Sequence, residues 1–226
     1  MGLLDDLKKK AESVRTHENL RLSAHVENLQ TVEAAMRRAF SYLHELLEQL
    51  KVIKPTNAVI YRLPGIGELC DLAYVDSFVS YRIKLIEDKE HYDRIDLFIL
   101  WGAADDLVVE RDMPASAAKL RELLWNANLR FVEDETKGPA GNTVLTRFRI
   151  AKGMRMAVTL RADYAERRIV MRAKNLMRTG DDDFAFAADA CNETLLEDLA
   201  HLLMGHLSDF RRHRILLPVD SWLNQK

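Results

Sequence analysis

Five polar side chains in the first half of the chain have the types and spacing for metal-assisted hydrolysis: Asp71, Asp76, Glu87, Asp88 and Lys89. A pair of carboxylates at a strand end can hold a divalent cation, and a lysine beside them can steady the attacking water or the charge that develops. Here the run continues into Glu90-His91-Tyr92-Asp93, which reads as a solvated turn, so no catalytic residue is assigned. The remaining chemistry is sparser. His201 and His206 are five apart, a spacing that does not share a helix face, and no zinc motif surrounds them. Asp181-Asp182-Asp183 reads as a polar turn without the alternate ligands and central glycine of a calcium loop. Ser80, Ser116 and Ser208 sit in no nucleophile elbow. Cys191 precedes a helix, a place that can lower a thiol pKa, but sequence sets no His or Lys beside it. No metal or cofactor is expected.

Two of these segments resemble known families. An acid followed by acid-x-Lys, as in Asp76 and Glu87-Asp88-Lys89, resembles the pattern of restriction-type nucleases, which implies Mg²⁺-dependent cleavage of nucleic acid. Leu63-Pro64-Gly65-Ile66-Gly67 resembles the hairpin of helix-hairpin-helix DNA-binding modules, where backbone N–H groups meet a phosphate. Its flanks depart from that module, with Glu68, Asp71 and Asp76 where a phosphate would approach, and an ordinary β-turn is expected instead.

Charge is the strongest signal. Thr146 to Arg178 holds ten basic residues (Arg147, Arg149, Lys152, Arg155, Arg161, Arg167, Arg168, Arg172, Lys174 and Arg178) against Asp163 and Glu166, a local +8. The rest of the chain, 23 basic against 33 acidic residues, carries −10 and restores the overall −2. Period-2 alternation turns Arg147 and Arg149 away from Phe148 and Ile150, and Arg155 and Arg161 away from Met154, Met156, Val158 and Leu160. Arg168, Arg172 and Lys174 likewise oppose Ile169, Met171 and Ala173. If these strands are neighbours, one arginine-rich sheet face results, and like charges across a ladder require an answering anion. That anion is expected from the chain's own acids (Asp93, Asp96, Asp105, Glu133, Asp134 and Glu135 among them), from an acidic protein surface or second copy, or from nucleic acid. Only Phe148 and Tyr164 lie near in sequence, too few aromatics for base stacking.

Elements must position this face. Leu22, Leu29, Met36, Leu43 and Leu50 recur every seven residues and define a long amphipathic helix ending before Lys54-Pro55, or a helix pair parted at Arg15 to Asn19. That stripe is expected either to pack on the protein's own sheet or to pair with another copy. Strands are expected at Ala58–Leu63, Leu72–Val75, Phe78–Ile86, Ile95–Trp101, Leu107–Val109, Leu129–Val132, Val144–Ile150, Met154–Arg161 and Arg168–Lys174, with a turn at Gly102 to Asp106. A helix begins at Met113-Pro114, and a last one spans about Glu193 to Arg212. The class is therefore α+β, with antiparallel pairing, an inserted helix and a C-terminal helix. Residues 1–54 form a helical segment and 55–226 an α+β domain.

With 48% hydrophobic and 30% charged residues the chain is an ordinary globular one. Two cysteines in no paired motif fit a reducing compartment, the start is no secretory signal, and no apolar run spans a bilayer, so a cytoplasmic protein without a membrane partner is expected. The order of elements is loosely similar to that of small bacterial secretion chaperones. The functional expectation is a non-enzymatic interaction or chaperone-like module; polyanion binding and metal-dependent cleavage are the alternatives.

Overall fold

The heptad stripe belongs to one uninterrupted helix in the computed structural model, which describes residues 2–127 and 129–215. This helix, α1 (Leu3–Ile53), runs straight through Arg15 to Asn19, where a break between two helices was expected. The segment has no Pro or Gly, and Thr16 Oγ1 donates back to Glu12 O at 2.8 Å instead of capping a new helix. The stop comes where Pro55 demands it: Lys54 adopts a left-handed φ of 49° and its N–H donates to Leu50 O.

A small hairpin follows, β1 (Tyr61–Leu63) and β2 (Gly67–Leu69), closed at Pro64-Gly65-Ile66 with Leu63 opposite Gly67. The elements flanking that turn are strands, in agreement with an ordinary β-turn. Ala58 to Ile60 stay outside β1, because Val59 N–H donates to the buried Asn57 Oδ1 and Ala58 N–H to Met204 O.

The main sheet holds β3 (Ala73–Ile86), β4 (Lys89–Arg111), β5 (Phe131–Lys137), β6 (Thr143–Asp163), β7 (Arg168–Lys174) and β8 (Asp181–Ala187). Its order is β3-β4-β6-β7-β8, all neighbours antiparallel, with β5 pairing the first half of β6. The helix α2 (Pro114–Asn126) is inserted between β4 and β5, and α3 (Glu193–Leu203) follows β8. The α+β class stands.

Strand lengths differ from the expected ones for a local reason. Gly102 to Asp106 is a bulge rather than a turn: the register steps from Gly102↔Gly153 to Asp106↔Ala151, leaving Ala103, Ala104 and Asp105 opposite Lys152 alone. Ile95–Trp101 and Leu107–Val109 thereby fuse into one 23-residue strand, and the two expected segments of β6 fuse beside it. Asp181 to Asp183 are ladder residues of β8, not a turn. The last helix ends at Leu203, short of Arg212, because Gly205 takes a φ of +75°. Leu207, placed by its spacing on that helix, is instead 99% exposed.

One face of the sheet builds the core. Ile95, Leu97, Ile99 and Trp101 of β4, Met154 to Leu160 at alternate positions of β6, and Ile169 and Met171 of β7 are buried in one cluster with Val32, Met36, Ala39, Leu43 and Leu47 of α1. Leu195, Leu196, Leu199 and Leu203 of α3 and Leu120 and Leu124 of α2 join the same cluster. Glu33 fastens α1 to the sheet, its Oε2 accepting from Tyr92 N–H at 3.0 Å and Tyr164 O–H at 3.1 Å. Burial and the Glu33 carboxylate together push the Tyr164 phenol well above its ordinary range.

Candidate binding face of the sheet

Alternation along β6 and β7 distributes the side chains as expected. Phe148, Ile150, Met154, Met156, Val158 and Leu160 point into the core, while Arg147, Arg149 and Arg155 are exposed on the opposite face and Arg161 is half-buried there. In β7, Arg172 and Lys174 are exposed and Arg168 half-buried beside the buried Val170. The three helices bury their apolar stripes on the core side, so among the described residues no helix covers this outer face.

The chain's own acids answer much of the basic set. Arg149 meets Asp134 at 3.3 Å and Lys152 meets Asp105, two acids named from sequence. The others were not anticipated: Arg147–Glu110 at 2.7 Å, Arg168–Asp163 at 2.8 Å, Arg172–Asp183 at 3.1 Å and Arg178–Asp182 at 3.0 Å. Arg167, at the β6–β7 turn, reaches Glu27 of α1 at 2.7 Å. Register explains the choice, since Glu110 faces Arg147, Asp163 faces Arg168 and Asp183 faces Arg172 directly across the ladders. The exposed ones among these pairs add about 0–1 kcal/mol each. Their larger effect is to turn a bare cationic face into a charge-mixed one. Hydrogen bonding between Asp105 and Lys152 lowers the carboxyl pKa and raises the ammonium pKa.

Two aromatic residues from distant parts of the sequence complete the face. Phe78 of β3 stands opposite Phe98 of β4, ring centroids 5.9 Å apart, and the Arg155 guanidinium lies 4.3 Å from the Phe98 ring centre. Phe78 is 55% exposed. Sequence reasoning looked for aromatics near the arginines along the chain and missed these. The alternation of Arg94, Asp96, Phe98 and Leu100 against Ile95, Leu97, Ile99 and Trp101 was the available signal for Phe98. Beside Arg155 the bulge opens a hollow of about 330 Å³ lined by Gly102, Gly153, Arg130 and Lys152 among others.

Other predicted residues fall elsewhere. Leu29, Met36, Leu43 and Leu50 are buried in the chain's own core, and only Leu22 of that set is exposed. Asp76 and Glu87 stand at opposite ends of β3; eleven steps of about 3.3 Å put roughly 36 Å between them, so the cleavage pattern is not assembled. Glu87 and Asp88 instead form the tight β3–β4 turn with φ of 50° and 59°. No group of three potential metal-binding side chains occurs among the described residues. The His201 and His206 rings do approach, at 5.8 Å, because the helix ends between them. Burial pushes the Cys191 thiol up to about 11, opposite to the lowering that a helix start can produce. No helix among the described residues is long and apolar enough to cross a membrane. Comparison with protein-family models, curated proteins and solved structures finds no match for this chain.

Proposed function

We propose that this protein is a non-enzymatic, cytoplasmic adaptor or chaperone-like module that holds an acidic, partly apolar polypeptide segment on the outer face of its sheet. The carrying observation is the Phe78–Phe98–Arg155 group, an apolar surface with a cation stacked on it, in the middle of an open face. Aromatic rings supply desolvated contact area, and neighbouring Arg and Lys residues supply orientation and on-rate toward carboxylates. The carboxylates already interleaved with the arginines favour a charge-mixed partner over a uniform phosphate backbone.

Polyanion binding is the second reading, favoured by the same rings, on which bases can stack. A fluorescence-anisotropy titration separates the two. A labelled peptide alternating Glu with Leu or Phe is compared with labelled DNA and RNA at two salt concentrations, against wild type and the Arg155→Ala/Arg161→Ala/Arg172→Ala variant. Peptide binding with a shallow salt slope, lost in the variant, supports the adaptor. Binding of DNA or RNA alone, with affinity falling steeply with salt, replaces it by the polyanion reading.

A further inference from the structure

A strand at the rim of a sheet turns every second backbone N–H and C=O away from its neighbour, and proteins ordinarily cover or blunt such an edge. At one end of this sheet the short edge of β8 is met at one point by the chain itself, Ile215 N–H donating to Ala185 O at 2.7 Å. The edge strand β5 is blunted by Glu133-Asp134-Glu135. The second half of β4, Asp106 to Arg111, has β6 alone as a neighbour, and the longest edge is β3, 14 residues long. Its start is held by the segment after α1, through Tyr74 N–H to Pro55 O and the bridge Thr56↔Ala73. From Asp76 onward no backbone partner lies on that side among the described residues. Phe78, Tyr81, Ile83 and Leu85 along it are exposed, 48% to 70% of each.

The order of charges along β3 identifies what fits there. We infer that this edge pairs with the same edge of a second copy, antiparallel about a two-fold axis through Ser80. A two-fold interface sets residue i against residue j and j against i. Centred on Ser80, the outer face sets Asp76 against Lys84 and Phe78 against Arg82, twice each. Opposite charges and an arginine on an aromatic ring are both favourable cross-strand neighbours. The core-side face sets Tyr81 against Val79 and Ile83 against Ser77, giving Tyr81 and Ile83 each a neighbour; the pairing stops short of Val75, the extra residue of the β3 bulge. Within one copy Asp76 Oδ1 accepts from Ser77 N–H and Lys84 pairs with Asp93 at 3.4 Å; each group has capacity for a further partner. Pairing from Asp76 to Lys84 forms about nine backbone hydrogen bonds, roughly one per residue pair. It joins two sheets into one, with both α1 helices on the same side. The inference does not rest on the adaptor reading, since its argument is the unpaired edge and the order of charges along β3, although Phe78 belongs to both surfaces.

Disulfide trapping in the full-length chain tests it. Residues facing each other across an antiparallel ladder have Cα atoms about 4.5–5.5 Å apart, within disulfide reach. In a Cys70→Ser background, Ser80→Cys puts two thiols on the two-fold axis, whereas Arg82→Cys puts them about 13 Å apart along the strands. The expected result is a dimer by sedimentation for the Cys70→Ser chain, and at least tenfold more cross-linked dimer on mild oxidation for Ser80→Cys than for Arg82→Cys. A monomer at 100 µM overturns the inference. So does a dimer in which Ser80→Cys cross-links no better than Arg82→Cys, because that dimer uses another surface or register.

Discussion

Arg155 and Phe98 come from strands 57 positions apart in the sequence, yet the guanidinium sits 4.3 Å over the ring. The contact places a fixed cation and an apolar surface side by side on the face of the sheet that the helices leave open. An exposed cation–π pair contributes about 0.5–1 kcal/mol, so its removal is a test of binding rather than of folding. Arg155→Ala and Phe98→Ala are each expected to weaken acidic-peptide binding about tenfold in the anisotropy titration. Their denaturation free energies should stay within about 1 kcal/mol of wild type.

The helix stripe gives a sharper contrast. Met36 and Leu43 are buried in the core, whereas Leu22, on the same heptad, is 63% exposed. Met36→Ala or Leu43→Ala should cost about 2–5 kcal/mol in urea unfolding, and Leu22→Ala within about 0.5 kcal/mol. Equal effects at the three positions would contradict the packing of α1 on the sheet.

Gly205 marks where the last helix must stop. A Cβ there would lie 2.5 Å from Val59 Cγ2 and 2.7 Å from Val59 N, at a φ of +75°. Both the left-handed backbone and the close approach of another backbone segment require glycine. Gly205→Ala is expected to destabilise by about 2 kcal/mol or more, measured as a shift in the urea midpoint at unchanged slope.

The two thiols should separate cleanly. Cys70 is exposed, with its pKa raised chiefly by hydrogen bonding to Asp71; Cys191 is buried, with its thiol up at about 11. A thiol reagent at pH 8 should titrate one cysteine in the native protein and both in denaturant. The unfolded chain loses the Cys191 proton near pH 9, while the folded chain holds it to about 11. Unfolding is therefore favoured increasingly as pH rises through that window, by an amount on the order of 2–3 kcal/mol at its upper end. Cys191→Ser should abolish that part of the alkaline loss.

Periodicity carried much of the fold. The 3.6-residue stripe placed Leu29 to Leu50 on one side of a helix, and period-2 alternation assigned inward and outward positions on β6 and β7. Both are properties of a single segment, legible from its own residues. Boundaries were less legible, because fusion across Gly102 to Asp106 depends on a neighbouring strand absorbing the bulge opposite Lys152.

By itself, then, the sequence determined which face the alternating residues of β6 and β7 take and that a basic surface must be answered. Which acids answer it was decided by register between segments distant along the chain: Asp183 faces Arg172 and Glu110 faces Arg147 only once the strands are ordered. The same ordering brings Phe78 and Phe98 beside Arg155 and leaves β3 at the rim of the sheet. The physical reason is that side-chain direction follows from local backbone geometry, whereas adjacency follows from how the whole core closes.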